Sequence, residues 1–149
     1  MKLLHGDMKY TRIDLWQTNY ELLPNCKLMG DEVNIVTLNA IYHAYCRYKK
    51  FESFMPIFDS QYTDLNSDVF GYYDNEKLVA FSLIKKYGSF NVEAIQFAWD
   101  YVKPELRLGI NSLKNECAYY KKLGYRYLYL GLADKYKEQF DGFEILKGI

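Results

Sequence analysis

Cysteine is scarce in this chain, and the three it has (Cys26, Cys46 and Cys117) are an odd number without CxxC spacing. Neither a disulfide framework nor a zinc cluster is suggested, and buried thiols in a reducing compartment are the plain reading. Net charge is missing too, since 19 basic residues balance 19 acidic ones. A freestanding nucleic-acid binder normally carries a strong basic excess, so that class is disfavoured, although a local basic patch is compatible with neutrality. No apolar run approaches the ~20 residues that a membrane span needs. The opening MKLLHGDMKY turns polar after one lysine and two leucines and does not read as a signal peptide. A soluble cytoplasmic protein with no membrane partner is therefore expected. Histidine is limited to His5 and His43, and His43, inside a helix pattern, is given no catalytic role. No serine or cysteine has a base at a recognisable spacing, and no metal site is indicated.

Apolar and aromatic residues are what the chain has in quantity. Half of its 149 residues are apolar, enough for one domain, 1–149, with a real core. Sixteen tyrosines are an unusual share. With an apolar body and a polar tip, tyrosine suits a wet cleft or an interface as well as a core.

Residues 1–30 give little. Tyr10 to Trp16 alternates weakly, as an edge strand would, and Leu22-Leu23-Pro24-Asn25 reads as a turn. Asp31 is the expected N-cap of a helix from about Glu32 to Phe51, in which Ile35, Leu38, Ile41, Tyr45 and Tyr48 form one apolar face. Phe54 to Asp68 reads as a loop. Val69 to Tyr73 and Leu78 to Lys86 flank Asp74-Asn75-Glu76-Lys77 as a hairpin. Phe90 to Tyr101 is a long strand with apolar residues on both faces, the mark of an interior strand. Pro104 opens a helix carrying Leu106, Ile110, Leu113, Cys117 and Tyr120 on one face, and Gly124 stops it. Tyr125 to Leu132 is a strand reached by a helical crossover, hence parallel to its predecessor, and Phe143 to Leu146 is a last short strand. An α/β (α+β) fold follows, a mixed sheet with a helix on each face. The free N–H groups of the helix turn carrying Gly109 favour an anion or a polarised carbonyl.

Strand, hairpin, strand, long central strand, glycine-bearing helix, strand is the element order of the GNAT N-acyltransferase superfamily. Within it the chain most resembles the C-terminal catalytic domain of arginyl-tRNA–protein transferases. The segments IYHAYCRYKKFESF, GYYDNEKLVAFSLI, LRLGINSL and YLYLGLADKYKEQFDGFEIL carry the likeness, across about residues 38–149. Residues 1–30 have no match, and the cysteine-rich N-terminal domain of those transferases has no counterpart. The resemblance implies a mostly antiparallel sheet with a splayed parallel pair of central strands and helices on both faces. In acetyl-CoA enzymes the helix turn usually reads Arg/Gln-x-x-Gly-x-Gly/Ala. Aligned on Gly109, this chain has Leu106 at the first position and Asn111 at the last glycine, with Arg107 one residue out of place. The pyrophosphate cradle is thus degenerate, although a helix N-terminus flanked by Lys103 and Arg107 can still hold a phosphate.

In this fold the donor carbonyl sits where the parallel strands splay, here Phe97, Ala98 and Trp99 facing Tyr129 to Gly131. Arg107, Leu108, Gly109, Ile110 and Asn111 would hold the rest of the donor. Gly131 would permit close approach of a chain-like ligand. Glu93 and Asp100 are the candidate bases; the plainer alternatives are a solvated edge residue and a helix cap. Gln96 would orient substrate, or pair with neighbouring side chains. Tyr136 matches the tyrosine that protonates the leaving group in many GNAT enzymes, with chance placement as its rival. Lys137 and Gln139 would contact substrate, or form a solvated loop.

Three functions follow. An N-acyltransferase would move an acyl group from acetyl-CoA or another acyl-CoA to a small-molecule or peptide amine, and charge and size favour it. An aminoacyl-tRNA-dependent protein transferase would use charged tRNA, as the local motifs suggest. A catalytically silent GNAT-like binding module is the third. The oligomeric state is open, a homodimer included.

Overall fold

The computed structural model describes residues 10–30, 33–51, 59–132 and 135–146. Seven strands, β1 (Tyr10–Asp14), β2 (Cys26–Leu28), β3 (Ser67–Asp74), β4 (Lys77–Tyr87), β5 (Asn91–Trp99), β6 (Tyr127–Leu132) and β7 (Phe143–Leu146), form a sheet ordered β2-β3-β4-β5-β6-β1-β7. The sheet is mixed and mostly antiparallel, and β5 and β6 run parallel. The helices are α1 (Ile35–Lys49), the single-turn α2 (Asp59–Tyr62) and α3 (Leu108–Lys122). No helix among the described residues is long and apolar enough to cross a membrane. The chain packs as two compact units, one of residues 23–85 and 95–113, the other of the described residues up to 22, in 86–94 and from 114 onward.

The 23–85/95–113 unit is built on the β3–β4 hairpin, closed at Asp74↔Lys77 over Asn75-Glu76. Asn75 takes φ +59°, a left-handed conformation that asparagine tolerates. The expected strands are each extended at both ends. β2 adds itself to β3 in a stretch where no strand was expected.

The cap of α1 is Asn34, whose side chain accepts from Val36 N and Thr37 N; Asp31 lies outside the described residues. The buried stripe of α1 is Leu38, Ile41, Tyr42 and Cys46, packed on Val69, Phe81, Leu83, Ala98 and Tyr62. The expected stripe through Tyr45 and Tyr48 is thus rotated, leaving Tyr48 56% exposed. Tyr72, three positions along β3 from Val69 and so on the other face, donates to the Ser112 carbonyl of α3 at 3.1 Å, so α1 and the first turns of α3 take opposite faces here. The single helix expected from Pro104 is in fact two pieces. A 3-10 turn, Pro104–Leu106, ends at Arg107, which has φ +48° and donates its N–H to Pro104 O, and α3 starts afresh at Leu108.

In the other unit β1 is not an edge strand. It pairs antiparallel with β6 on one side and with β7 on the other, so the weak alternation from Tyr10 belongs to an interior strand that ends at Asp14. Gly124, at φ +94°, ends α3 as expected, with Tyr125 N–H closing on Tyr120 O at 3.0 Å. The parallel ladder runs Asn91↔Tyr127, Val92↔Leu128, Glu93↔Tyr129. Tyr129 therefore stands opposite Glu93, not opposite Phe97–Trp99 as the sequence suggested.

Asp14 ties this unit together. It is only 3% exposed, and its carboxylate accepts from Trp16 N (3.2 Å), Gln17 Nε2 (3.1 Å) and Arg126 Nη2 (3.2 Å). The Arg126 bond holds its carboxyl below the usual carboxylate range against the opposing effect of burial. A depressed pKa contributes stability above the unfolded value, near 3.9, and loses it as pH falls through the folded value. Asp14→Ala is expected to cost about 2 kcal/mol at neutral pH, a lost cap plus lost charged hydrogen bonds. In melts taken from pH 5 down to pH 2, the gap between the two proteins should close only in the acid range below about pH 4.

Candidate functional site

Strand alternation places Asn91 and Glu93 on one face of β5, and the Glu93↔Tyr129 pairing brings Tyr129 of β6 abreast of them, with Gly131 beyond it. Together with Tyr87 at the end of β4 and Tyr10 and Thr11 on β1 they line a cavity of about 380 Å³. Opposite Thr11 and Arg12 the register of β6 jumps from Gly131 to Tyr129, so Leu130 is an extra, bulged residue. Such bulges re-aim side chains beside functional sites. Gly131 meets the bend with φ +82°, which favours glycine, and no atom of the described residues lies within 4 Å of where its Cβ would stand. Thr11 Oγ1 fixes the bend by donating to Gly131 O at 3.1 Å.

Glu93 is half-buried, and Tyr87 donates its hydroxyl to Glu93 Oε1 at 2.8 Å. That bond pushes the Tyr87 hydroxyl pKa up, with burial adding to it. Among the described residues Glu93 Oε2 has no hydrogen-bond partner. Tyr129 OH accepts from Arg12 Nη1 at 3.1 Å, and Arg12 is in turn paired with Glu144 at 2.7 Å and laid over the Tyr127 ring, 3.7 Å from its centre. A carboxylate lining a tyrosine-rich cavity can accept a proton or hold a cation.

Three of the residues singled out from the sequence, Glu93, Tyr129 and Gly131, thus share one cavity. Lys137 Nζ donates to the bulged Leu130 carbonyl at 3.0 Å. Tyr136 is 45% exposed on the 3-10 turn Lys135–Gln139, where Gln139 Nε2 donates to the Tyr136 carbonyl at 2.7 Å.

The remaining ones lie in the 23–85/95–113 unit. Gln96 Oε1 accepts from Tyr62 OH at 2.6 Å, so the amide has found a partner; burial pushes the Tyr62 hydroxyl pKa well up. Asp100 Oδ1 accepts from Val102 N at 3.0 Å and Oδ2 lies 4.0 Å from Lys77 Nζ, so it closes the bend after β5 rather than capping a helix. Ala98 is buried against α1. Phe97 meets Tyr45 edge-on, and Trp99 lies 4.2 Å from Tyr101, which itself stacks on Tyr48 at 3.8 Å. Trp99 is buried, and its Nε1 has no hydrogen-bond partner among the described residues. A buried donor left unmet costs about 1–3 kcal/mol.

In the turn, Leu108 is buried, whereas Gly109 has open space beside it. The Ile110 and Asn111 N–H groups both donate to Arg107 O, and Asn111 Nδ2 donates to Leu106 O at 2.9 Å. Lys103 is engaged with Asp74 at 2.8 Å. Two of the amides an anion would use are therefore already occupied. Among the described residues no three His, Cys, Asp or Glu side chains gather for a metal.

Tyr10, Thr11, Tyr87 and Asn91 belong to the cavity and went unnoticed in the sequence. Asn91 had a signal, standing two residues before Glu93 on the same strand face; Tyr10 and Thr11 had none, arriving from a strand some 120 residues away.

A mixed sheet with one parallel pair, entered by a hairpin and crossed by a helix after the long strand, is the GNAT acyltransferase fold. Solved structures agree. The chain is similar to L-PGS from Bacillus licheniformis (TM-score 0.61, 13% identity, 85% of this chain and 46% of that one). It is also similar to a GCN5-related N-acetyltransferase from Sphaerobacter thermophilus (0.57, 15%, 93% and 48%). A third is Saccharomyces cerevisiae N-myristoyltransferase with bound myristoyl-CoA (0.59, 10%, 94% and 48%). The chain spans about half the length of each. The family model described as arginine-tRNA-protein transferase, C terminus, matches residues 38–147, and the chain belongs to that family. No curated protein matches it.

Proposed function

We propose that this chain is a transferase that places an aminoacyl group from a charged tRNA onto an amine, with Glu93 as the base. The observation that carries the reading is the Glu93 carboxylate, which lines the cavity and is held by Tyr87 at one oxygen. Glu93 takes a proton from the bound ammonium. The freed nitrogen attacks the ester carbonyl, a C–N bond forms, the C–O bond breaks, and the leaving oxygen is protonated. Tyr136 is the proposed acid. Lys137, in the same unit as Glu93, is assigned to substrate contact.

Family membership supports charged tRNA as donor, and so does the turn, whose occupied amides suit a pyrophosphate poorly. A second reading keeps acyl-CoA as donor, with a C–S bond broken instead. It is supported by the likeness to a myristoyl-CoA-bound enzyme and by the neutral net charge. The test incubates the protein and a free-amine peptide with arginyl-tRNA or with acetyl-CoA and weighs the peptide by mass spectrometry. Arginylation supports the first reading and acetylation the second. No product with a panel of charged tRNAs and acyl-CoAs would leave a binding module. In melts, a donor at a hundredfold over its Kd should add about 2.7 kcal/mol of stability.

A further inference from the structure

A cluster of rings gathers at the C-terminal end of α1. Tyr101, which follows β5, lies face to face with Tyr48 of α1, ring centres 3.8 Å apart and planes 10° apart. Tyr45 lies nearly parallel to the Tyr101 ring at 6.1 Å, and Trp99 closes on it from β5 at 4.2 Å. Phe51 meets Tyr45 edge-on at 6.0 Å. All of these residues belong to the 23–85/95–113 unit. Tyr101 holds its place at φ +59°, a left-handed backbone that a bulky residue rarely takes and that costs energy. Asp100 keeps the bend, its Oδ1 accepting from Val102 N at 3.0 Å. Backbone strain of this kind is concentrated where a side chain has to be in one position for function. Rings serving only the core would be hidden, yet Tyr48 stays 56% exposed and Phe51 50% exposed.

The charge around the rings has one sign. α1 contains no acidic residue, and its end carries Arg47 and Lys49, with Lys50 as the left-handed cap. All three are exposed, and among the described residues none of them forms an ion pair. Lys49 Nζ stands over the rings, 5.9 Å from the centre of Tyr45 and 5.7 Å from that of Tyr101. A cation already seated there disfavours a cationic guest. A flat ring flanked by negative charge suits the place, and that combination is a nucleotide strand.

We infer that the Tyr48–Tyr101 stack is a platform for an unpaired base of an RNA strand, whose phosphates are met by Arg47, Lys49 and Lys50. The base lies on the exposed side of Tyr48 and continues the stack. Bases of a duplex already cover each other's faces, so single strands are selected over paired ones. The choice of RNA rests on the charged-tRNA reading; the stack itself uses neither Glu93 nor its cavity. The neutral net charge of the chain is no obstacle, because positive residues are gathered at one helix end.

Binding without any acyl donor or acceptor tests this. An end-labelled single-stranded RNA dodecamer is titrated with the full chain by fluorescence anisotropy, beside the same strand in a duplex and an abasic phosphodiester of equal length. The single strand should bind about fivefold or more tighter than either control, the effect of one stacked base. Tyr48→Ala should lose about five- to a hundredfold, and Tyr48→Phe, which keeps a ring, should retain affinity. Lys49→Gln should lower the dependence of log K on log salt by about 0.7, one phosphate contact. Melting curves establish that each variant is folded; should Tyr48→Ala fail to fold, Lys49→Gln and the two control ligands still decide. Equal binding of the three ligands overturns the inference, as does a folded Tyr48→Ala protein with undiminished affinity. So does no anisotropy change up to about 100 µM protein, the weak end of non-specific binding. Self-association in sedimentation that Tyr48→Ala abolishes gives the rings to a second copy and overturns it too. If the ligands rank as stated but no donor yields product, the transferase reading fails alone; if arginylation proceeds while the dodecamer does not bind, the stacking site fails alone.

Discussion

Glu93→Gln is expected to lower the rate of group transfer about 10²–10⁴-fold, the usual contribution of a positioned base. The amide has nearly the shape of the carboxylate, and its oxygen can keep the Tyr87 hydroxyl bond seen at 2.8 Å. What it loses is the ability to take a proton. Saturating amine should not restore the rate, because the defect lies in the chemical step as well as in binding. Tyr87→Phe leaves the carboxylate in place without its anchor and should cost roughly tenfold, one hydrogen bond's worth of orientation. Steady-state kinetics on both variants, with thermal melts as folding controls, make the comparison. A kcat for Glu93→Gln within a factor of two or so of the parent would remove Glu93 from the mechanism.

Gly142→Ala is expected to destabilise the protein by about 2–5 kcal/mol, the sum of left-handed strain and overpacking. Gly142 has φ +75°, and an added Cβ would run into the carbonyl of Asp14, a backbone that cannot swing aside. Asp14 N–H donates to Gly142 O at 2.8 Å, so the two chains are already fixed against each other. Gly131 supplies the comparison: its φ of +82° is just as unfavourable for alanine, yet among the described residues nothing lies within 4 Å of the new atom. Gly131→Ala should therefore cost only the strain, about 1–2 kcal/mol. Chemical denaturation of both variants measures the difference, and equal losses would mean that contact with Asp14 is immaterial.

Local patterns carried most of the elements. The β3–β4 hairpin, the long β5, α3 with its Gly124 stop and β7 are all written within short windows, because period and turn residues act over neighbouring positions. The two helix errors have local causes as well: Arg107 turns left-handed after Pro104, and the α1 stripe runs through Cys46 instead of Tyr48. The sheet order was the illegible part. Whether Tyr10–Asp14 lies at an edge or between β6 and β7 depends on partners far along the chain, and alternation cannot name them. For the same reason Glu93, Tyr129 and Gly131 could be singled out, while the side chains that complete their cavity from β1 and β4 could not.

The Arg12–Glu144 pair joins residues 132 positions apart, and β1 lies clasped between two strands made long after it. During synthesis the earliest of these strands must wait, unzipped, until its two late partners emerge. Closure of that half of the sheet then carries a loop-closure cost and is slow by the standards of chains whose neighbours in space are neighbours in sequence.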